Sequence, residues 1–258
     1  MRELPYLKNN PRIIFFTDFD GTITLQDCND YLVDNHGFGL DKREVLELEL
    51  LKGNITFRES FQTMLDSVRI PFNECLHVLE ENIQYDPHFV TFYQWAREHN
   101  VPIVVLSSGM APIINALLER LLGSKPDNIF VVANDIEPRN GKDVNMNGGW
   151  QISFHDNSSF GHDKSLAIKP YAALSGKSRP ILLYAGDGVS DLSAASETDI
   201  LFAKSGMVLT AAQGLVRYCE QRGIPFVPFN DWASILATVQ EIYQNGCSND
   251  VEGQPSTH

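Results

Sequence analysis

Apolar and polar positions along the chain follow two different periods. Ile13 to Thr17 is a short apolar run that ends in charged and glycine residues, which predicts a buried strand running into a loop. From Leu25 to Asp86 the spacing becomes helical. Val45, Leu46, Leu48, Leu50 and Leu51 mark one helix. Phe57, Phe61, Met64, Leu65 and Val68, at spacings of 4, 3, 1 and 3, draw an apolar stripe on another. Pro71 opens a third, with Cys75, Leu76 and Leu79 facing inward. After Asp86-Pro87, helices and strands alternate. Helices are predicted at Phe89–Glu98, Ala111–Leu122, Asp163–Leu174, Val208–Arg222 and Trp232–Gln244. Strands are predicted at Val101–Leu106, Ile129–Ala133, Ile181–Ala185 and Ile200–Ala203. The stretch from Asn134 to Ser153, rich in Asn and Gly, reads as a hairpin excursion.

This alternation predicts an α/β fold, a doubly wound parallel sheet with helices on both faces, interrupted early by a helical insert. The expected organisation is a core formed by residues 1–24 and 87–245 and a helical cap at 25–86. The polar, aperiodic tail at 246–258 is expected to be disordered.

Composition narrows the function classes. The 258 residues carry a net charge of −13. That balance disfavours nucleic acid and anionic membranes as partners. The longest apolar runs are strand-length and do not span a bilayer. The N-terminal stretch, with Pro5 and Pro11, does not read as a signal peptide. Cysteines 28, 75, 219 and 247 form no CxxC pair and read as free thiols in a reducing cytoplasm.

Four places stand out, each at a strand end or a helix start, where open α/β sheets bind ligands. They are Asp18-Phe19-Asp20-Gly21-Thr22, Ser107-Ser108-Gly109-Met110, Lys164, and Gly186-Asp187-Gly188-Val189-Ser190-Asp191. Taken singly, each is as well explained by a cap, a turn or a solvated face. Two calcium-loop likenesses fail: an EF-hand opening at Asp18 has Ile23 where glycine is needed, and one opening at Asp143 has Phe154 where Glu is needed. Together the four places make chemical sense. Carboxylates at 18, 20 and 187 can gather around one hard cation. A serine hydroxyl and a lysine ammonium donate to phosphate oxygens. A second carboxylate two residues from a nucleophile serves as general acid and base.

In this order, DFDGT, a serine after the second strand, a helix-start lysine and GDGxxD resemble the haloacid dehalogenase superfamily, over about residues 13–202. The large insert directly after the first motif resembles the phosphoserine-phosphatase-like branch. Within it the chain is similar to fungal phosphatases and, more loosely, to methylthiopentenyl-phosphate phosphatases. The resemblance implies a Rossmann-like core under a mobile cap and a magnesium-dependent phosphomonoesterase. By it, Asp18 is the nucleophile and Asp20 the general acid and base. Asp18, the main-chain carbonyl of Asp20, and Asp187 hold the metal. Ser107, Gly109 and Lys164 bind phosphate. Asp191 orients Lys164 or metal-bound water.

The resemblance also speaks to the leaving group. In phosphoserine phosphatases an acid shortly after the first motif pairs with the substrate ammonium, and Asp27 stands there. An arginine seven residues past a phenylalanine pairs with the carboxylate, and here that position is Met64. Without a partner for that carboxylate, phosphoserine is disfavoured and polyol or sugar phosphates are favoured. A phosphorylated amino alcohol remains an alternative. Asp27, Asn29 and Asp30 are candidates to bind hydroxyls or an amine, Asn29 and Asp30 being equally candidates to cap the following helix. Arg58 is a substitute cation only if the cap helix is rotated. The cap holds 13 acidic and 5 basic residues, a setting unwelcoming to a second anionic group. A catalytically silent phosphate-binding regulatory domain and a phosphotransferase are the competing classes.

Overall fold

The computed structural model describes residues 4–176, 179–205 and 214–245. Strand β1 (Ile13–Thr17) lies at the middle of a seven-stranded sheet. To one side follow β2 (Ile103–Met110), β3 (Ile129–Pro138) and β4 (Trp150–Ser153). To the other lie β5 (Ile181–Gly186), β6 (Ile200–Lys204) and β7 (Val227–Phe229). Only β4 runs antiparallel, pairing Asp135 with Ser153 and Pro138 with Trp150. The predicted excursion is therefore the outer hairpin of the sheet. Every residue of β1 is buried because successive side chains enter opposite layers. Ile13 and Phe15 join one core cluster, and Ile14 and Phe16 the other.

Four helices sit between β1 and the rest of the core: α1 (Cys28–His36), α2 (Leu40–Leu51), α3 (Phe57–Ser67) and α4 (Phe72–Asn82). The two connecting strands run side by side. Thr24 bridges Tyr85, Leu25 N–H donates to the Gln84 carbonyl at 2.8 Å, and Asp86 N–H donates to the Ile23 carbonyl at 2.9 Å. Helix starts follow local rules. Asp27 caps α1 by accepting the N–H groups of Asn29 and Asp30. Thr56 and Glu59 form a reciprocal capping box on α3.

The cap has a second attachment to the core. The β3–β4 hairpin reaches the α3–α4 junction, where Gly148 N–H donates to the Arg69 carbonyl at 2.7 Å and Phe72 N–H to the Val144 carbonyl at 3.1 Å. The Trp150 indole N–H donates to the Ile70 carbonyl at 3.0 Å. By contrast α2 buries no residue, and Val45 and Leu48 on it are exposed.

The core continues through α5 (Phe89–Glu98), α6 (Ala111–Leu122), α7 (Ser165–Ala172), α8 (Leu192–Ala195), α9 (Leu215–Arg222) and α10 (Trp232–Asn245). Several elements differ from the sequence reading. β2 and β3 run past their predicted ends at Leu106 and Ala133, because ladder pairing carries them through polar residues. β7 was not anticipated: it is three residues long with Pro228 inside, which only an edge strand tolerates. The tail at 246–258, expected to be disordered, and positions 208–213 of the predicted helix at 208–222 lie outside the described residues.

Candidate active site

β2 and β5 leave β1 in opposite directions, so the carboxyl ends of these three strands open a crevice at the middle of the sheet. Asp18, Ser107 and Asp187 stand at those ends. Lys164, at the head of α7, is wholly buried; its Nζ lies 2.9 Å from Asp18 Oδ2 and 2.7 Å from Asp191 Oδ1. Burial works against the lysine charge, but Asp18 and Asp191 outweigh it and hold its pKa above the ordinary value. Lys169 is exposed on the same helix and takes no part.

Asp191 is fully engaged. Its Oδ1 accepts from Lys164 and the Tyr184 hydroxyl, and its Oδ2 accepts from the main-chain N–H groups of Asp187 and Gly188, each at 3.0 Å. It therefore holds the GDGVSD turn and the lysine together. Gly21, at φ +73°, is needed where it stands: a Cβ there would meet Asp187 Oδ2 at 2.3 Å.

Carboxylate oxygens of Asp18, Asp187 and Asp191 lie within 4.8 Å of one another. The sequence reading grouped 18, 20 and 187. The cluster has Asp191 in place of the Asp20 carboxylate, which turns toward the cap. Lys164 is the cation in direct contact with this cluster, so negative charge remains uncompensated. Burial accordingly pushes Asp18 well above the carboxylate range, despite Lys164, and pushes Asp187, with Asp191 adding, up to about 7. An oxygen donor set with surplus negative charge fits a hard divalent cation.

Asp20 is held from the cap side. Its Oδ1 accepts the Cys28 N–H at 2.9 Å and its Oδ2 accepts the Asn29 amide at 3.1 Å. Asn29 thus orients Asp20 and caps nothing, and Asp30 does not cap either; the cap of α1 is Asp27. Burial first and Asp27 second push Asp20 up to about 7. Gly109 was expected to offer its N–H to phosphate. That N–H donates instead to Ser107 Oγ at 2.9 Å. What Gly109 provides is space, since a Cβ there would lie 3.0 Å from Asp20 Oδ2.

Above these groups opens a cavity of about 560 Å³. Its cap wall combines acids and hydroxyls (Asp27, Asp30, Glu47, Ser60) with an apolar side that includes Leu50, Phe57, Phe61 and Met64. Met64 is buried and faces this space, as its place in the sequence suggested. Arg58 does not line it. Its guanidinium lies 4.1 Å from the centre of the Phe154 ring and donates to the Asp156 carbonyl at 2.6 Å, because α3 turns that face toward the 154–161 loop. No Lys or Arg lines the cavity among the described residues.

Comparison with known proteins agrees with this geometry. The family model for haloacid dehalogenase-like hydrolases matches residues 15–196. The chain belongs to that family. It is 47% identical over 233 residues to Pdp3-interacting factor 1 of Schizosaccharomyces pombe, covering 90% of this chain and 96% of that one. It is 43% identical over 238 residues to polyol phosphate phosphatase PYP1 of Saccharomyces cerevisiae, covering 90% and 94%. A substrate-bound phosphoserine phosphatase has the same fold, with a TM-score of 0.60 at 13% identity, covering 88% and 98%. The protein is thus a haloacid dehalogenase-type phosphatase, a phosphoric monoester hydrolase with an inserted helical cap.

Sequence reasoning missed several groups that hold this phosphatase site together. Lys204, buried at the end of β6, donates to the Gly21 carbonyl at 2.7 Å. The Trp232 indole, at the start of α10, donates to the Thr22 carbonyl at 2.9 Å. Lys204 obeys the strand-end rule that found the others, but β6 was ended one residue early, at Ala203.

Proposed function

We propose that this phosphatase is a magnesium-dependent phosphomonoesterase that hydrolyses a polyol or sugar phosphate through an aspartyl-phosphate on Asp18. The observation that carries the proposal is the convergence of Asp18, Asp20, Ser107 and Asp187 at one cavity floor, with buried Lys164 in contact with Asp18 behind it. Magnesium held by Asp18, Asp187 and the Asp20 carbonyl would supply positive charge against the phosphate oxygens. Lys164 fixes one oxygen of Asp18, and the Phe19 N–H, 2.6 Å from Oδ1, fixes the other. The carboxylate is thereby oriented for in-line attack on phosphorus. The phosphorus–oxygen bond to the leaving alcohol breaks as the bond to Asp18 forms. Asp20, protonated near neutral pH, gives its proton to the departing oxygen. It then takes one from the water that attacks the aspartyl-phosphate, releasing phosphate and restoring Asp18. Ser107 and Lys164 hold the equatorial oxygens. Asp191 acts through Lys164 and the GDGVSD turn.

A leaving group without an anion is supported by a cavity that no Lys or Arg lines and by Met64 on its wall. Hydroxyls suit Asp30, Glu47 and Ser60. The likeness to the yeast polyol phosphate phosphatase points the same way. Three buried, unpaired cysteines, 28, 75 and 219, suit a cytoplasmic setting. The test is a panel of polyol phosphates, sugar phosphates, phosphoserine and phosphoethanolamine. Polyol or sugar phosphates are expected to show the highest kcat/KM. Preference for phosphoserine overturns the reading of Met64, and preference for phosphoethanolamine reassigns the acids to an ammonium.

A further inference from the structure

The end of β2 carries a group that no step above uses. Ser108 lies on the cavity wall and is 9% exposed, and its hydroxyl is buried with no hydrogen-bond partner. An unpaired buried hydroxyl destabilises a fold, and native structures keep few of them. The surrounding main chain is firmly held. The Ser108 carbonyl accepts the Asn134 amide at 2.6 Å, and the same Asn134 accepts the His155 N–H at 2.9 Å. The Ser107 carbonyl accepts Nδ1–H of buried His162 at 2.8 Å. So β2 is fastened on both sides of a hydroxyl that nothing in the fold claims. The neighbouring donor is not free either, because the Gly109 N–H is engaged by Ser107 Oγ.

We propose that the Ser108 hydroxyl is a further substrate-binding group, donating to a nonbridging phosphate oxygen beside Ser107 and Lys164. This rests on the phosphatase reading of the site. It assigns Ser108 the phosphate contact that the Gly109 N–H does not make. Ser108 stands on the core side of the cavity, next to Ser107, whereas the leaving group extends toward the cap. A hydroxyl left unpaired in the free protein then gains its partner when an anion arrives.

The test uses Ser108→Ala, with Ser108→Thr as the conservative variant. Thermal stability, inhibition by inorganic phosphate, and kcat/KM on an aryl phosphate and a polyol phosphate are measured with magnesium present. Ser108→Ala should be no less stable than wild type, because it removes an unsatisfied group. It should lose about ten- to a hundredfold in kcat/KM on both substrates alike. Inhibition by phosphate should weaken by a similar factor, with most of both effects restored in Ser108→Thr. Unchanged phosphate inhibition, or a clear fall in stability, overturns the proposal. So does a loss confined to the polyol phosphate, which would place the hydroxyl on the leaving group. If wild type turned over no phosphomonoester, the phosphatase reading would fail. Calorimetric binding of inorganic phosphate to wild type and Ser108→Ala would still decide the role of Ser108.

Discussion

Asp20 and Asp191 stand in comparable burial yet serve opposite needs. Asp191 accepts from a lysine, a phenol and two main-chain N–H groups, so both its oxygens are taken up in holding the fold. Asp20 accepts from one N–H and one amide and is pushed up to about 7. A proton on Asp20 matters most when the leaving oxygen is a poor one. Asp20→Asn should therefore lower kcat about a hundred- to ten-thousand-fold on a polyol phosphate and far less on an aryl phosphate. Equal losses on both would remove Asp20 from the acid role. Asp191→Asn should lower both the thermal midpoint and activity, since it breaks a buried pair, at a cost of about 3–5 kcal/mol. A variant with unchanged stability would contradict the holding role. Asp18, Asp187 and Lys164 were legible in the sequence because each follows a strand or opens a helix. The partnership of Asn29 with Asp20 was not, because it depends on how the insert folds back over its own entry loop.

At the scale of elements, the insert is tied down unequally. α3 and α4 are joined to the β3–β4 hairpin through Arg69, Ile70 and Phe72, while no residue of α2 is fully buried. Arg58 belongs to this fastening. It clamps the loop whose Ser159 and Phe160 reach the cavity wall. Arg58→Ala should raise KM for all phosphomonoesters by a similar factor, leaving kcat nearly unchanged. A rise restricted to phosphoserine would instead mark Arg58 as a carboxylate binder. The buried strands were readable because apolar runs bounded by glycine and proline have few other uses. The reach of the hairpin was not, because Asn140–Gly149 shows no periodicity and its register comes from β3 and from the cap. β7 escaped for a related reason: Pro225 and Pro228 argue against a strand unless it lies at an edge.

Across the whole molecule, charge and pH are linked to the same centre. The insert accounts for −8 of the net −13, and part of the remainder is the motif carboxylates. Among the described residues no helix is long and apolar enough to cross a membrane. His162 lies under the site, its pKa lowered from 6.5 to about 4, first by burial and then by Lys164 and His155. Between those values the unfolded chain takes up a proton that the folded one refuses. Stability from this residue is therefore complete above about pH 6.5 and declines as pH falls toward 4, by up to about 3 kcal/mol. His162→Asn, which keeps a donor for the Ser107 carbonyl, should flatten that part of the urea midpoint against pH. An unchanged slope would assign the acid sensitivity to other groups.

The central claim is that Asp18 and a divalent cation hydrolyse phosphomonoesters in this crevice. The most direct measurement is phosphate release from an aryl phosphate by wild type and Asp18→Asn, with magnesium and with a chelator. Wild type should turn over only with magnesium, and with magnesium present Asp18→Asn should fall by at least about a thousandfold. Turnover that survives the chelator, or survives in Asp18→Asn, would contradict the account.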